Sequence, residues 1–133
     1  MICFINTILE NVYIKMRHDP IFRYKSWDRT LFKKLKGYSG HINDHHIIPK
    51  QHKNHILLKK VKYDIHGRFN LLIMPTKDGI EKLNLHPNTL YHCAHPQYNR
   101  YVKQQLDEIY RCDDKEYQLW LFVCWLKKIL TEV

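Results

Sequence analysis

Six consecutive residues, Asp44-His45-His46-Ile47-Ile48-Pro49, constrain the fold of this chain more than any other stretch. Adjacent side chains of a regular strand point to opposite faces, so one histidine is expected inside and one outside unless the strand is irregular. The apolar pair that follows is expected to be buried, and proline cannot continue a sheet ladder. The sequence therefore predicts a strand over residues 41–48 that leads into a loop fixed by Pro49.

A second buried strand is predicted over residues 69–74, where Phe69-Asn70-Leu71-Leu72-Ile73-Met74 is interrupted by a single polar side chain. Turn-forming residues around Gly67 precede it, and Pro75 is expected to stop it. Residues 76–90 contain Asp78-Gly79 and Pro87-Asn88, which are typical of loops. This segment is therefore predicted to be a loop.

Helical spacing of apolar residues occurs on both sides of these strands. It is found at 4–16, around 27–35 and at 117–130, where the last segment is apolar on most sides. Pro96 suits the first position of a helix that runs to Tyr110. The buried face of that helix is predicted to carry Tyr98, Val102, Leu106 and Ile109.

The charge balance favours a polyanionic partner. The formal net charge is +9, and each Lys or Arg set against a phosphate releases a counterion. An anionic membrane surface would attract the same charge, but no segment is both long and apolar enough to span a bilayer. The cations expected to contact nucleic acid cluster near the histidine motif: Lys50, Lys53, Lys59, Lys60, Lys62 and Arg68.

The four cysteines, Cys3, Cys93, Cys112 and Cys124, form no C-x-x-C pair, which argues against a cysteine zinc ribbon. Residues 1–16 lack a basic start and a small-residue cleavage site, so no secretory signal is predicted. We therefore expect reduced thiols in a soluble intracellular protein, located in the cytoplasm or in the nucleus of a host cell if the protein is viral or an effector.

Several blocks in a fixed order resemble the AHH nuclease domains of the HNH/endonuclease VII group. They are Asp44 to Lys50, Lys53-Asn54-His55, Leu57 to Lys60, Tyr63-Asp64-Ile65, Asn70 five residues before Pro75, and His92 to Asn99 with Val102 following. The resemblance covers about residues 40–110 and implies an α+β fold with a ββα-metal core. We expect a single domain, 1–133, with that core at about 40–110 and additional helices at 4–16 and 117–130.

The resemblance also implies roles for individual residues. His46 would be the general base, and Asn70 would order the loop and help orient that base. His45 would be the first metal ligand, with His95 and His92 as further ligands. Asn99 lies four residues after His95, so a helix would place both on one face. The chain departs from the family pattern at Asp44, where alanine is usual, at Leu71, where glycine is usual, and at Cys93 and Ala94.

The activity that the resemblance implies is metal-dependent hydrolysis of phosphodiester bonds by an endonuclease, with DNA preferred over RNA. One divalent ion would sit on the scissile phosphate. Magnesium or manganese is expected to support activity, whereas zinc or nickel suits histidine ligands and would bind. Such domains are often the toxic modules of bacterial toxins, so the chain is toxin-like in this sense.

Two other functions compete with this interpretation. A catalytically inactive HNH-like module would bind nucleic acid or a protein without cutting. A structural zinc domain would close a tetrahedral site with His45, His46, His92 and His95. The apolar C-terminal helix raises a further question, because it could serve as core, as a surface for self-association or as the site of a protein partner.

Overall fold

A two-stranded sheet and several helices form the part of the chain that the computed structural model describes, residues 23–91 and 96–131. The elements are α1 (Trp27–Leu35), β1 (Ile42–His46), α2 (Ile56–Lys60), β2 (Leu71–Pro75), α3 (Lys77–Lys82), α4 (Pro96–Tyr110) and α5 (Lys115–Thr131). The predicted α+β class is confirmed, and the arrangement agrees with a ββα-metal core plus flanking helices. The helix predicted at 4–16 lies outside the described residues.

The two strands pair antiparallel in a continuous register, with Ile42 opposite Pro75 and His46 opposite Leu71. Side chains that face each other across such a pair lie on the same side of the sheet. His45 therefore shares a face with Leu72, and His46 lies on the opposite face. The register continues past the strand end, since the Ile47 amide donates to the Asn70 carbonyl at 2.8 Å.

The main core lies on the His45 side of the sheet, where Leu72 and Met74 join buried residues of α4 and α5. The predicted face of α4 is confirmed for Val102, Leu106 and Ile109, while Tyr98 at its start is half-buried. The faces that α4 and α5 turn toward each other are apolar at helical spacing, which explains why this part of the fold is readable from sequence. Four residues of α5 are buried: Leu119, Phe122, Val123 and Leu126.

Helix α5 leaves large aromatic side chains in solvent on its other faces. Tyr117, Trp120 and Trp125 are each about half exposed. Self-association or a protein partner at this surface stays a prediction. Within residues 23–91 and 96–131, no helix combines the length and apolarity needed to cross a membrane.

The loop predicted over residues 76–90 is wrong in its first half, where α3 forms. The Thr76 hydroxyl caps this helix by accepting a hydrogen bond from the Gly79 amide at 3.0 Å. The predicted second strand is also shorter at its start, because Phe69 and Asn70 belong to a 3₁₀ turn, Arg68–Asn70. Pro75 is the last residue of β2 and not the residue after it.

Gly79 is required by close packing and not by an unusual backbone angle. A Cβ atom at this position would lie 1.9 Å from the carbonyl oxygen of His41, directly before β1. A glycine inside a helix lowers stability by about 1 kcal/mol relative to alanine. At Gly79 this loss accompanies the close approach of α3 to the sheet.

We expect Gly79→Ala to lower the free energy of unfolding by about 1–3 kcal/mol, because overpacking outweighs the gain in helix propensity. Urea unfolding followed by circular dichroism measures this change. Lys77→Ala, on the exposed side of the same helix, serves as the control and should shift stability little. An unchanged or higher stability of the Gly79 variant would contradict the close approach.

Candidate active site at the end of strand β1

His45 is the buried histidine that faces α4. Its side chain is 5% exposed, and its ring centroid lies 5.6 Å from that of Tyr98. The Tyr98 hydroxyl donates to the Ile47 carbonyl at 2.6 Å, which fixes the first turn of α4 against the end of β1. Burial raises the pKa of Tyr98, so this hydroxyl stays protonated and can donate at neutral pH. Because Tyr98 belongs to the first turn of α4, that turn faces His45.

His46 lies on the other face of β1 within a cluster of three rings, which we call the His46 cluster: Tyr24, His46 and His66. The Nε2 atom of His46 lies 3.2 Å from Nδ1 of His66, a hydrogen-bond distance at which one of the two nitrogens carries the proton. The Tyr24 ring packs edge-on against His46, with centroids 4.5 Å apart, and stacks on His66. The imidazole of His46 is thus held from two sides.

His66 is the member of this cluster that the sequence does not predict as a site residue. It is partly buried against His46. Its backbone amide donates to the Asp64 carboxylate at 3.3 Å. A signal for its importance was its place directly after the Tyr63-Asp64-Ile65 block, although nothing in the sequence indicates contact with a residue twenty positions earlier.

Asn70 is fully buried, and its side-chain amide joins three separate parts of the chain. Its Oδ1 accepts hydrogen bonds from the Ile48 amide at 2.8 Å and from the Tyr63 hydroxyl at 2.6 Å. Its Nδ2 donates to the carbonyls of Ile48 and Ile65 at 3.0 and 2.9 Å. Asn70 therefore fixes the loop that follows His46 and the loop that carries His66. Its predicted part in orienting the base would act through these loops.

Asp44, where the AHH family name has alanine, binds two cations on the His46 side of the strand. Arg29, itself buried, donates to both carboxylate oxygens, and Lys33 Nζ lies 3.0 Å from Oδ2. Burial would raise the pKa of Asp44, but the hydrogen bonds and charge of Arg29, followed by those of Lys33, outweigh it and hold that pKa below its usual value. The carboxylate is thus occupied on the face opposite His45.

The other predicted site residues differ in how the structure places them. Asn99 lies in the first turns of α4, where its Nδ2 donates to Gln51 at 3.4 Å and its carbonyl contacts His52 Nε2 at 2.8 Å. His92 and His95 lie outside the described residues.

The predicted phosphate contacts are all exposed: Lys50, Lys53, Lys59, Lys60, Lys62 and Arg68. Lys50 contacts the His46 cluster, with Nζ 3.3 Å from the Tyr24 hydroxyl.

Two of the proposed metal ligands, His45 and Asn99, lie among the described residues. His45 offers a buried imidazole and Asn99 a side-chain amide oxygen, and metal ions accept both kinds of donor. Among residues 23–91 and 96–131 no three His, Cys, Asp or Glu side chains come together as a metal site.

The match to a known family covers most of this architecture. Residues 29–120 match AHH, a nuclease family of the HNH/ENDO VII superfamily with conserved AHH. Comparison with curated proteins and with solved structures gave no significant match. Because the match covers well over half of the chain, the protein belongs to the AHH nuclease family, whose superfamily is generally metal-dependent and acts on nucleic acid.

Asn70→Ala should destabilise the fold strongly, because it leaves buried backbone groups of Ile48 and Ile65 without partners. The expected loss is about 2–5 kcal/mol, given about 1–3 kcal/mol for each unsatisfied buried group. Tyr63→Phe is the matched control, since it removes a single bond to the same Oδ1 atom and should cost about 1 kcal/mol. Urea unfolding of both variants measures the two losses of unfolding free energy. Equal losses would contradict the proposed importance of the backbone hydrogen bonds of Asn70.

Asp44 should make the stability of the protein dependent on acid pH. A carboxyl whose pKa is lowered by folding stabilises the native state above its usual pKa of 3.8, and this contribution is lost as the pH falls through the folded-state value. Asp44→Asn leaves buried Arg29 without its charge partner, at a cost of about 3–5 kcal/mol near neutral pH.

The free energy of unfolding of the native protein and of Asp44→Asn, measured across the acid range, tests this expectation. The difference between the two should be largest above about pH 4 and shrink below it. The pKa values of Asp64 and Asp107 are also lowered, by hydrogen bonds from Arg23 and His55 respectively. Both carboxyls are present in both proteins and cancel in the difference. A constant difference would contradict the ionised pairing.

Proposed function

We propose that the protein is a metal-dependent endonuclease that hydrolyses phosphodiester bonds, with DNA as the preferred substrate and His46 as its general base. The observation that carries the proposal is the His46 cluster, an imidazole at a strand end held by a second imidazole and a tyrosine ring, within a chain of a nuclease family. A base that is positioned before substrate binds needs little reorganisation to act.

In the proposed reaction, neutral His46 removes a proton from the water that attacks the scissile phosphorus. Histidine suits this step because its ordinary pKa lies near neutrality. His66 acts on His46 and not on the substrate. Its contact with Nε2 holds the ring at a fixed angle, and because His66 is only partly buried it offers the proton a route toward solvent. His66 is therefore proposed as a positioning residue.

The residues proposed to hold the divalent ion are His45, His95, His92 and Asn99. When bound, the ion would act as a Lewis acid that offsets negative charge on the phosphate and the leaving oxygen. The Tyr98 hydroxyl ties the start of α4 to Ile47, and this contact supports a proposed ion site between the end of β1 and the start of α4. Magnesium or manganese is proposed for activity, and zinc or nickel for binding.

Phosphate contacts are proposed to provide most of the affinity for nucleic acid. The six exposed cations, Lys50, Lys53, Lys59, Lys60, Lys62 and Arg68, lie in the segment that connects the two strands. Such contacts carry no base information, so weak sequence selectivity is expected. The affinity should fall steeply with salt, because each neutralised phosphate releases a counterion.

His46→Ala is expected to abolish nicking of supercoiled plasmid in magnesium or manganese, and EDTA should abolish it in the native protein. A general base typically contributes about 100- to 10,000-fold to the rate. His66→Ala should lower the rate less than His46→Ala does. His86→Ala, which changes an exposed loop histidine, is the control and should cut like the native protein.

Each variant also needs a binding measurement, because loss of cutting has more than one cause. Calorimetric titration with manganese should show weaker binding for His45→Ala and His95→Ala and unchanged binding for His46→Ala. If the native protein cuts neither DNA nor RNA with any of these ions, the enzyme assignment fails. If His46→Ala still cuts, the assignment of the base fails while the nuclease assignment stands.

A further inference from the structure

A cavity of about 550 Å³ lies between the segment 61–69 and the start of α5. Its volume lies in the range of small-molecule binding sites. Aromatic and aliphatic side chains form its walls, and cations lie at its rim. The lining residues include Tyr63, Phe69, Leu119, Trp120, Lys62 and Arg68.

The walls of the cavity suit a flat ring. Trp120 is 50% exposed and is stacked on Tyr117, with ring centroids 6.2 Å apart and planes at 21°. Tyr117 does not line the cavity, so it supports Trp120 from behind. Phe69 is likewise partly exposed, and Lys127 lies 4.9 Å from its ring centroid. Half-exposed aromatic rings backed by other groups are platforms on which bases stack.

The charges at the rim suit a polyanion more than a neutral peptide. Lys62 and Arg68 are exposed cations that line the cavity, while the Arg23 guanidinium and the Asp64 carboxylate bind each other. Glu116 is the remaining charged residue of the lining and can accept hydrogen bonds from an amino or imino group. A ligand with a flat, hydrogen-bonding ring attached to phosphate matches this combination.

Two chain segments that line the cavity also carry rings of the His46 cluster. Arg23 lines the cavity, and the next residue, Tyr24, packs on His46. Asp64 and Gly67 line it as well, and they flank His66 in sequence. The two segments that hold His46 through Tyr24 and His66 therefore also supply part of the cavity wall.

A base in an intact duplex cannot enter such a cavity, because it is paired and stacked within the helix. A base in a single strand can, and this difference provides selectivity. We propose that the cavity binds an unpaired nucleobase of the substrate strand, so that the protein prefers single-stranded nucleic acid over intact duplex. The proposal rests on the proposed nuclease function, since it places the base next to the phosphate that is cut.

The test uses the full chain carrying His46→Ala, in EDTA, so that binding is measured without cutting. The probes are a short fluorescein-labelled single-stranded DNA, its duplex, and an abasic oligomer of equal length and charge. Trp120→Ala should weaken binding of the single strand about five- to fifty-fold, as expected for loss of one stacked base. Binding of the abasic oligomer should change less than about twofold, because phosphate contacts remain.

Trp125→Ala is the matched control, since Trp125 lies on the same helix, is 46% exposed and does not line this cavity. It should leave binding of all three probes unchanged, and Trp120→Phe should restore most of the affinity for the single strand. Circular dichroism of each variant checks that the fold is retained. A loss with Trp120→Ala that is confined to the base-bearing single strand supports the proposal.

Two results would overturn the proposal. One is equal affinity of the His46→Ala protein for the abasic and the base-bearing single strand. The other is an equal loss of single-strand affinity in the Trp120→Ala and Trp125→Ala variants. The proposed nuclease function fails separately. A protein that cuts plasmid but shows no effect of Trp120 keeps the nuclease function and loses the base site. A protein that binds the strand through Trp120 but never cuts keeps the base site and loses the nuclease function.

Discussion

The buried amide of Asn70 is the interaction on which the rest of the site depends. It bonds to both backbone groups of Ile48, to the Ile65 carbonyl and to the Tyr63 hydroxyl, so it uses its donor and acceptor capacity fully. In a buried setting such bonds are strong when all are made and costly when any is missing. The loop after His46, the loop that carries His66 and one wall of the cavity are therefore positioned by a single side chain.

Strand geometry then separates the chemistry onto two faces. In a continuous register, neighbouring residues alternate, so His45 points toward α4 and His46 points toward Tyr24 and His66. A group lying across the strand end can be approached from both faces. The alternation lets one imidazole stay among apolar and aromatic residues near the helix, while the other is held by a separate set of rings. The two adjacent imidazoles therefore have different surroundings on opposite faces of β1.

Much of the fold could be predicted because α4 has a periodic apolar pattern, while α5 and β2 are marked by nearly continuous apolar runs. Helix α3 could not, since Asp78-Gly79 is typical of a turn and the contact of Gly79 with His41 is a tertiary packing constraint that leaves no local pattern. The family blocks supplied the candidate residues of the site. They did not supply His66, because its contact with His46 joins the end of β1 to a loop that the buried Asn70 helps to position.

The placement of Asp44 bears on which ions the site would favour. A carboxylate is the hard donor that magnesium prefers, but this one binds Arg29 and Lys33 on the face away from His45. The proposed donors on the other side are imidazoles and one amide, and imidazole affinity rises along the series from manganese to zinc and nickel. An ion bound strongly by histidines exchanges its ligands less readily, whereas manganese accepts imidazole and still keeps oxygen ligands for phosphate and water. Of the two ions proposed for activity, magnesium and manganese, the second is therefore the one that better suits the proposed imidazole ligands.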